Sequence, residues 1–174
     1  MIIVVGARGS ISDIDVFLQK LLQFATREQI SIQALNANAV YGTQHLISAA
    51  EHAQRSFTQG TNATNSLALE IMLYASGERQ ITKAIKKMGV RTGRQAIAFV
   101  LVDQREKKRE RKAYEPVIQR LLSIFHMTLD ESVLQGDLNT LKHFGITEKE
   151  VRTVSKEKHG DLILEKVAMV DVLK

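Results

Sequence analysis

Residues 96–102 read AIAFVLV, an unbroken apolar run between the polar neighbourhood of Gly93 and Asp103. It is short and rich in β-branched and aromatic types, which favours a strand over a helix, and a strand apolar at every alternation has to be covered on both faces. Whatever else the chain does, it must place structure above and below this strand.

The residues just before it supply some of that cover. Ile81, Ala84, Ile85 and Met88 recur at i, i+3, i+4 and i+7, the spacing of one buried helical stripe, and Gly89 stands where a left-handed C-terminal cap belongs. The other face carries Gln80, Lys83, Lys86 and Lys87, and from Arg79 to Arg94 there are six basic residues and no acidic one. Further upstream, Leu67 to Ala75 is apolar except for Glu70. Its Leu, Ala, Met and Glu content favours a helix over a strand, Asn65 or Ser66 is placed to cap it, and Gly77 follows its end. A helix apolar nearly all round is buried, so Glu70 needs a partner; Arg79 is the nearest strongly basic candidate, with the amides and hydroxyls of residues 62–66 as weaker ones.

With 174 residues, 44% hydrophobic, and one proline, the chain suits a single globular domain spanning residues 1–174. The absence of cysteine excludes disulfides, thiolate zinc sites and a thiol nucleophile. The opening MIIVVGARGS is too short to span a membrane and lacks the pattern of a signal peptide, so a cytoplasmic protein is expected. The net charge of +5 is moderate, but it concentrates in residues 79–94 and in Arg105 to Lys112, which points to a polyanion partner.

Taken in order, Ile2 to Val5 reads as a strand ended by Gly6, with Gly6 and Gly9 in a turn and no dinucleotide fingerprint. Ser12 or Asp13 caps a helix with the stripe Ile14, Phe17, Leu18, Leu21, Leu22 and Ala25. Ile30 to Leu35 alternates as a strand. Gln44 to Phe57 is a helix whose stripe has an all-alanine centre, so another backbone packs closely there. His45 and His52 share a helix face but have no third ligand at a useful spacing, and no metal is expected. Gln104 to Lys112 is a loop or frayed helix end. Pro116 opens a helix with the stripe Tyr114, Val117, Ile118, Leu121, Leu122 and Phe125. Within His126 to Leu134 one edge strand is expected, Asp137 caps a short helix stopped at Gly145, and Thr147 with Glu150 forms a capping box. The last segment, from Gly160 onward, is more apolar than one buried stripe requires, so its final turn is expected to meet a partner protein. No phosphate-binding loop, nucleophile elbow or metal-binding acidic cluster is present, so neither catalytic residues nor a cofactor are expected.

The runs ALNANAVYGTQHLISAAEHAQRSF and NSLALEIMLYASGERQITKAIKKMGV, with the strand AIAFVLV, resemble the small regulatory subunit of the KEOPS complex, the TPRKB-like family, with the archaeal wording closest. The resemblance is clear over residues 30–103 and looser from LDESVLQGDL to VAMVDVLK; Arg105 to Lys112 fits it poorly. It implies an α/β (α+β) fold, a small antiparallel or mixed sheet flanked by several helices. It also implies a non-catalytic subunit that docks on and stimulates the complex's kinase/ATPase, and that helps recruit tRNA by its single-stranded 3′ CCA end for threonylcarbamoyladenosine modification. The residues fit such a role as follows. Arg79, Gln80, Lys83, Lys86 and Lys87 would meet phosphates, and Asn62, Asn65 and Ser66 would be polar readers. Met88, Met169, Val172 and Leu173 would form the kinase contact. Glu70 would be a buried structural acid fixing Arg79 and the turn after its helix. The alternative is a purely protein-interacting subunit with little RNA contact.

Overall fold

The computed structural model describes residues 1–105 and 110–173, the last by its backbone. Four strands, β1 (Ile2–Ile11), β2 (Ser31–Asn36), β3 (Gly93–Val102) and β4 (Thr128–Leu129), form one sheet in the order β2-β3-β1-β4. Each neighbouring pair is antiparallel, with Ile2 opposite Val102 and Ile11 opposite Gly93 along the long central pair. The helices are α1 (Ile14–Glu28), α2 (Gly42–Gln59), α3 (Leu67–Ser76), α4 (Ile81–Met88), α5 (Glu115–Ile124), α6 (Leu138–His143), α7 (Glu148–Val151) and α8 (His159–Leu173).

The apolar run at β3 has the consequence expected of it. Ala96, Ala98, Val100 and Val102 face one core with α2, α3, α4, α6 and α8, while Ile97, Phe99 and Leu101 face a second with α1 and α5. The crowded side is lined by small residues. Ala49, Ala50 and Ala53 of α2 are fully buried there, which lets the helix backbones approach closely.

Several sequence expectations need correction. β1 does not stop at Gly6 but runs through both glycines, and neither is in a turn. A Cβ on Gly6 would lie 2.5 Å from the Asp130 carbonyl, and one on Gly9 2.5 Å from Met127 Cγ; the glycines are there to admit the crossing chain, a role that glycine in a strand also serves. Gly89 is extended (φ −64°) rather than left-handed, and it is needed because a Cβ would sit 2.5 Å from the Ile85 carbonyl. The stripes of α1 and α4 are narrower than read. Leu18, Leu22 and Ile85 are 43%, 69% and 50% exposed, because each helix presents only one narrow face to the core. The edge strand, the Asp137 cap and the capping box of Thr147 with Glu150 form where expected, and Asp137 also makes a capping box with Thr140.

His45 and His52 part company. His45 is buried between the Tyr41 N–H, which donates to Nδ1 at 3.1 Å, and the Ala75 carbonyl, which accepts from Nε2 at 2.7 Å. This arrangement requires a neutral ring. Burial, with help from the Lys87 charge, pushes its pKa down from 6.5 to about 4, against the opposing pull of the Ala75 hydrogen bond. The unfolded chain therefore takes up this proton first as pH falls, and stability is lost between pH 6.5 and 4, by about 3 kcal/mol in total. Urea unfolding of the wild type and of His45→Gln across this range isolates the effect. The wild type is expected to lose stability more steeply, by roughly this amount.

Candidate functional site

The site is the corner where α3 turns into α4. α3 is apolar all round and ends at Gly77, which is left-handed (φ 66°) and closes the helix through hydrogen bonds to Leu73 and Tyr74. Glu70, fully buried, lies in its first turn. The carboxylate accepts from the Ala63 amide (3.1 and 3.2 Å), the Thr64 amide (3.0 Å), the Thr64 hydroxyl (2.9 Å) and the Ser56 hydroxyl (3.3 Å). This corrects the expected pairing with Arg79. Helical side chains lean toward the N-terminus, so a residue in the first turn reaches back to the preceding loop, whereas Arg79 lies beyond the far end of the helix. Glu70 thus ties down the loop of residues 61–66.

Beyond Gly77, Arg79, Gln80 and Lys83 line a shallow groove of about 480 Å³ together with Gly77 and Glu78. Arg79, Lys83 and Lys86 are exposed, and their side chains make neither hydrogen bond nor ion pair among the described residues. Lys87 is different. Its ammonium is half-buried, donates to the Ser76 carbonyl at 2.6 Å and to Glu78 at 3.2 Å, and lies 4.4 Å from the Phe144 ring centroid. Burial lowers its pKa, and Glu78 works against that shift. Lys87 therefore belongs to the structural frame, not to the outer face expected for it, and it neutralises the groove's own acid. The remaining cations are left uncompensated.

Arg79 also borders a smaller cavity of about 180 Å³ with Thr61, Ala63, Leu73 and Val170. The basic corner, the loop of residues 61–66 and α8 thus meet at this one side chain. Of the polar readers expected in the loop, Asn62 braces it by donating to the Thr64 carbonyl at 3.0 Å, Asn65 is exposed, and Ser66 caps α3 without a side-chain bond. Ser66 lies apart from the corner, lining a separate groove of about 650 Å³ with Leu18, Leu22 and Leu69. The second basic concentration is partly spent. Arg105 is held by the buried Asp103, whose carboxyl it keeps well below the usual range, and residues 106–109 fall outside the described residues.

On α8, Ile163, Val167 and Val170 are buried, while Met169 and Val172 are 39% and 73% exposed. The helix thus ends with an apolar outer face; the Leu173 side chain is outside the described residues. Met88, expected beside them as a contact residue, is fully buried under α4, where Ile85 is the exposed apolar residue instead.

The family of kinase binding protein CGI-121 matches residues 10–171 of the chain. The chain belongs to the CGI-121 family. This agrees with the resemblance drawn from the blocks around residues 34–57 and 65–90. No curated protein matches the chain. A CGI-121 protein is a kinase binder, and the exposed apolar end of α8 is chemically suited to protein contact. Sequence reasoning missed Ile85, which differs from its buried neighbours only by its angle around the helix, and Asp171, whose partners lie far away in the chain.

Proposed function

We propose that this CGI-121 protein is a non-catalytic regulatory subunit of a KEOPS-type tRNA-modification complex. It docks on the kinase/ATPase subunit through the last turns of α8 and stimulates it. It helps recruit tRNA by holding the single-stranded 3′ CCA end at the α3–α4 corner. One observation carries the RNA half of this reading: Arg79 and Lys83 line a polar groove whose acid, Glu78, is already bound by Lys87, and among the described residues neither they nor the exposed Lys86 on the same helix has a side-chain partner. Phosphates supply the charge that such a corner lacks. Aromatic platforms for stacking are scarce, since the chain has three tyrosines and six phenylalanines and no tryptophan, and this favours phosphate contacts over base stacking.

The two halves separate by mutation. Capture of the purified kinase subunit and of labelled tRNA is measured separately for two variants. Val172→Glu is expected to weaken kinase capture at least about tenfold and leave tRNA binding intact, because it places a charge in an apolar contact. The Lys83→Glu, Lys86→Glu variant is expected to do the reverse, with a salt slope shallower by about 2. If the lysine reversals leave tRNA binding unchanged, the protein is a purely protein-interacting subunit.

A further inference from the structure

α8 ends with an acid where helices least favour one. The carbonyl end of a helix carries partial negative charge and frays first, and the last turn of α8 holds Asp171 and no basic residue. The structure compensates from outside the helix. The Tyr74 hydroxyl, from the fully buried α3 side chain, donates to one oxygen of Asp171. His52 Nδ1, from α2, lies 2.7 Å from the other oxygen, which is 3.7 Å from the Arg55 guanidinium. Arg55 also lies 2.7 Å from His52 Nδ1, but a nitrogen that donates its proton to a carboxylate cannot accept one, so the charged acceptor takes the bond. The His52 and Tyr74 rings lie 5.4 Å apart, which holds both donors in place.

We infer that His52, Arg55, Tyr74 and Asp171 form a clasp that sets the position of the last turn of α8, and so acts as the positioning device for the kinase-docking face. This rests on the docking reading above. Asp171 is flanked by Val170, which is buried, and by Val172, which projects outward; Met169 is exposed one turn-edge earlier. Fixing the carboxylate to α2 and α3 therefore fixes the orientation of both exposed apolar side chains. A docking face presented in one orientation binds more tightly than one that must be ordered on contact. The residues named touch no kinase themselves in this account; they act through Met169 and Val172.

The experiment compares Asp171→Asn, Tyr74→Phe and their double variant with Val172→Glu, measuring kinase affinity alongside amide exchange in the full-length protein. Asp171→Asn and Tyr74→Phe are each expected to weaken kinase binding about tenfold and to speed exchange in residues 168–172, while β3 stays as protected as in the wild type. The double variant is expected to lose less than the product of the two single losses, the mark of groups coupled through the Asp171 carboxylate. A generally weakened fold would instead raise exchange in β3 as well, and that result would overturn the clasp. So would kinase binding at wild-type strength in Asp171→Asn and Tyr74→Phe while Val172→Glu loses it. Full binding by Val172→Glu overturns the docking reading, and the inference with it.

Discussion

Glu70→Ala is expected to be among the most destabilising single substitutions in this protein, at about 3 to 4 kcal/mol. Two losses combine. The substitution leaves a void at a fully buried position in α3, and it removes the acceptor shared by the Ala63 and Thr64 amides and the Thr64 and Ser56 hydroxyls. Glu70→Gln keeps the volume but turns an N–H donor toward other donors, so it is expected to cost less than Ala, about 2 kcal/mol. Urea unfolding gives the energies, and amide exchange at Ala63 and Thr64 shows where they arise. Both amides are expected to lose protection in either variant before the sheet does. A cost below about 1 kcal/mol for Glu70→Ala would mean that the loop of residues 61–66 is held by something else.

Much of this architecture is legible in the sequence because it depends on periodicity. The apolar run at β3 specifies a strand covered on both faces, and the composition of residues 67–75 specifies a buried helix; both are found. The alanine centre of α2 announced the close helix packing seen on that side of the sheet. What was not legible depends on direction and on contacts remote in sequence. That Glu70 is buried follows from its neighbours, but that it reaches back to Ala63 and Thr64 follows from the lean of helical side chains, which spacing alone does not report. Lys86 and Lys87 are adjacent and chemically alike, yet a rotation of roughly 100° around the helix sends one to solvent and the other to Ser76 and Glu78. Met88 and Ile85 differ in the same way. A glycine that makes a turn and one that admits a crossing chain look identical in sequence, so spacing alone puts Gly6 and Gly9 in a turn. His52 and Asp171 are 119 residues apart, and nothing local marks either as the other's partner.

In the proposed function a cationic corner grips a nucleic-acid end and performs no reaction. Arg79 and Lys83 line a groove open to solvent, with Lys86 exposed on the same helix, and Arg79 joins the groove to the loop anchored by Glu70. A flexible single strand can follow such a groove, whereas a duplex is too wide and stiff to lay its backbone into it. The terminal nucleotides of tRNA should therefore carry most of the affinity. At about 1 kcal/mol for each phosphate held by a charge-assisted hydrogen bond, removing the CCA end costs about a hundredfold in binding. The direct measurement is the affinity of the purified protein for one tRNA, intact and trimmed of CCA, at a fixed salt concentration. The trimmed tRNA is expected to bind about a hundredfold more weakly; equal binding of the two would contradict the proposed role of the corner.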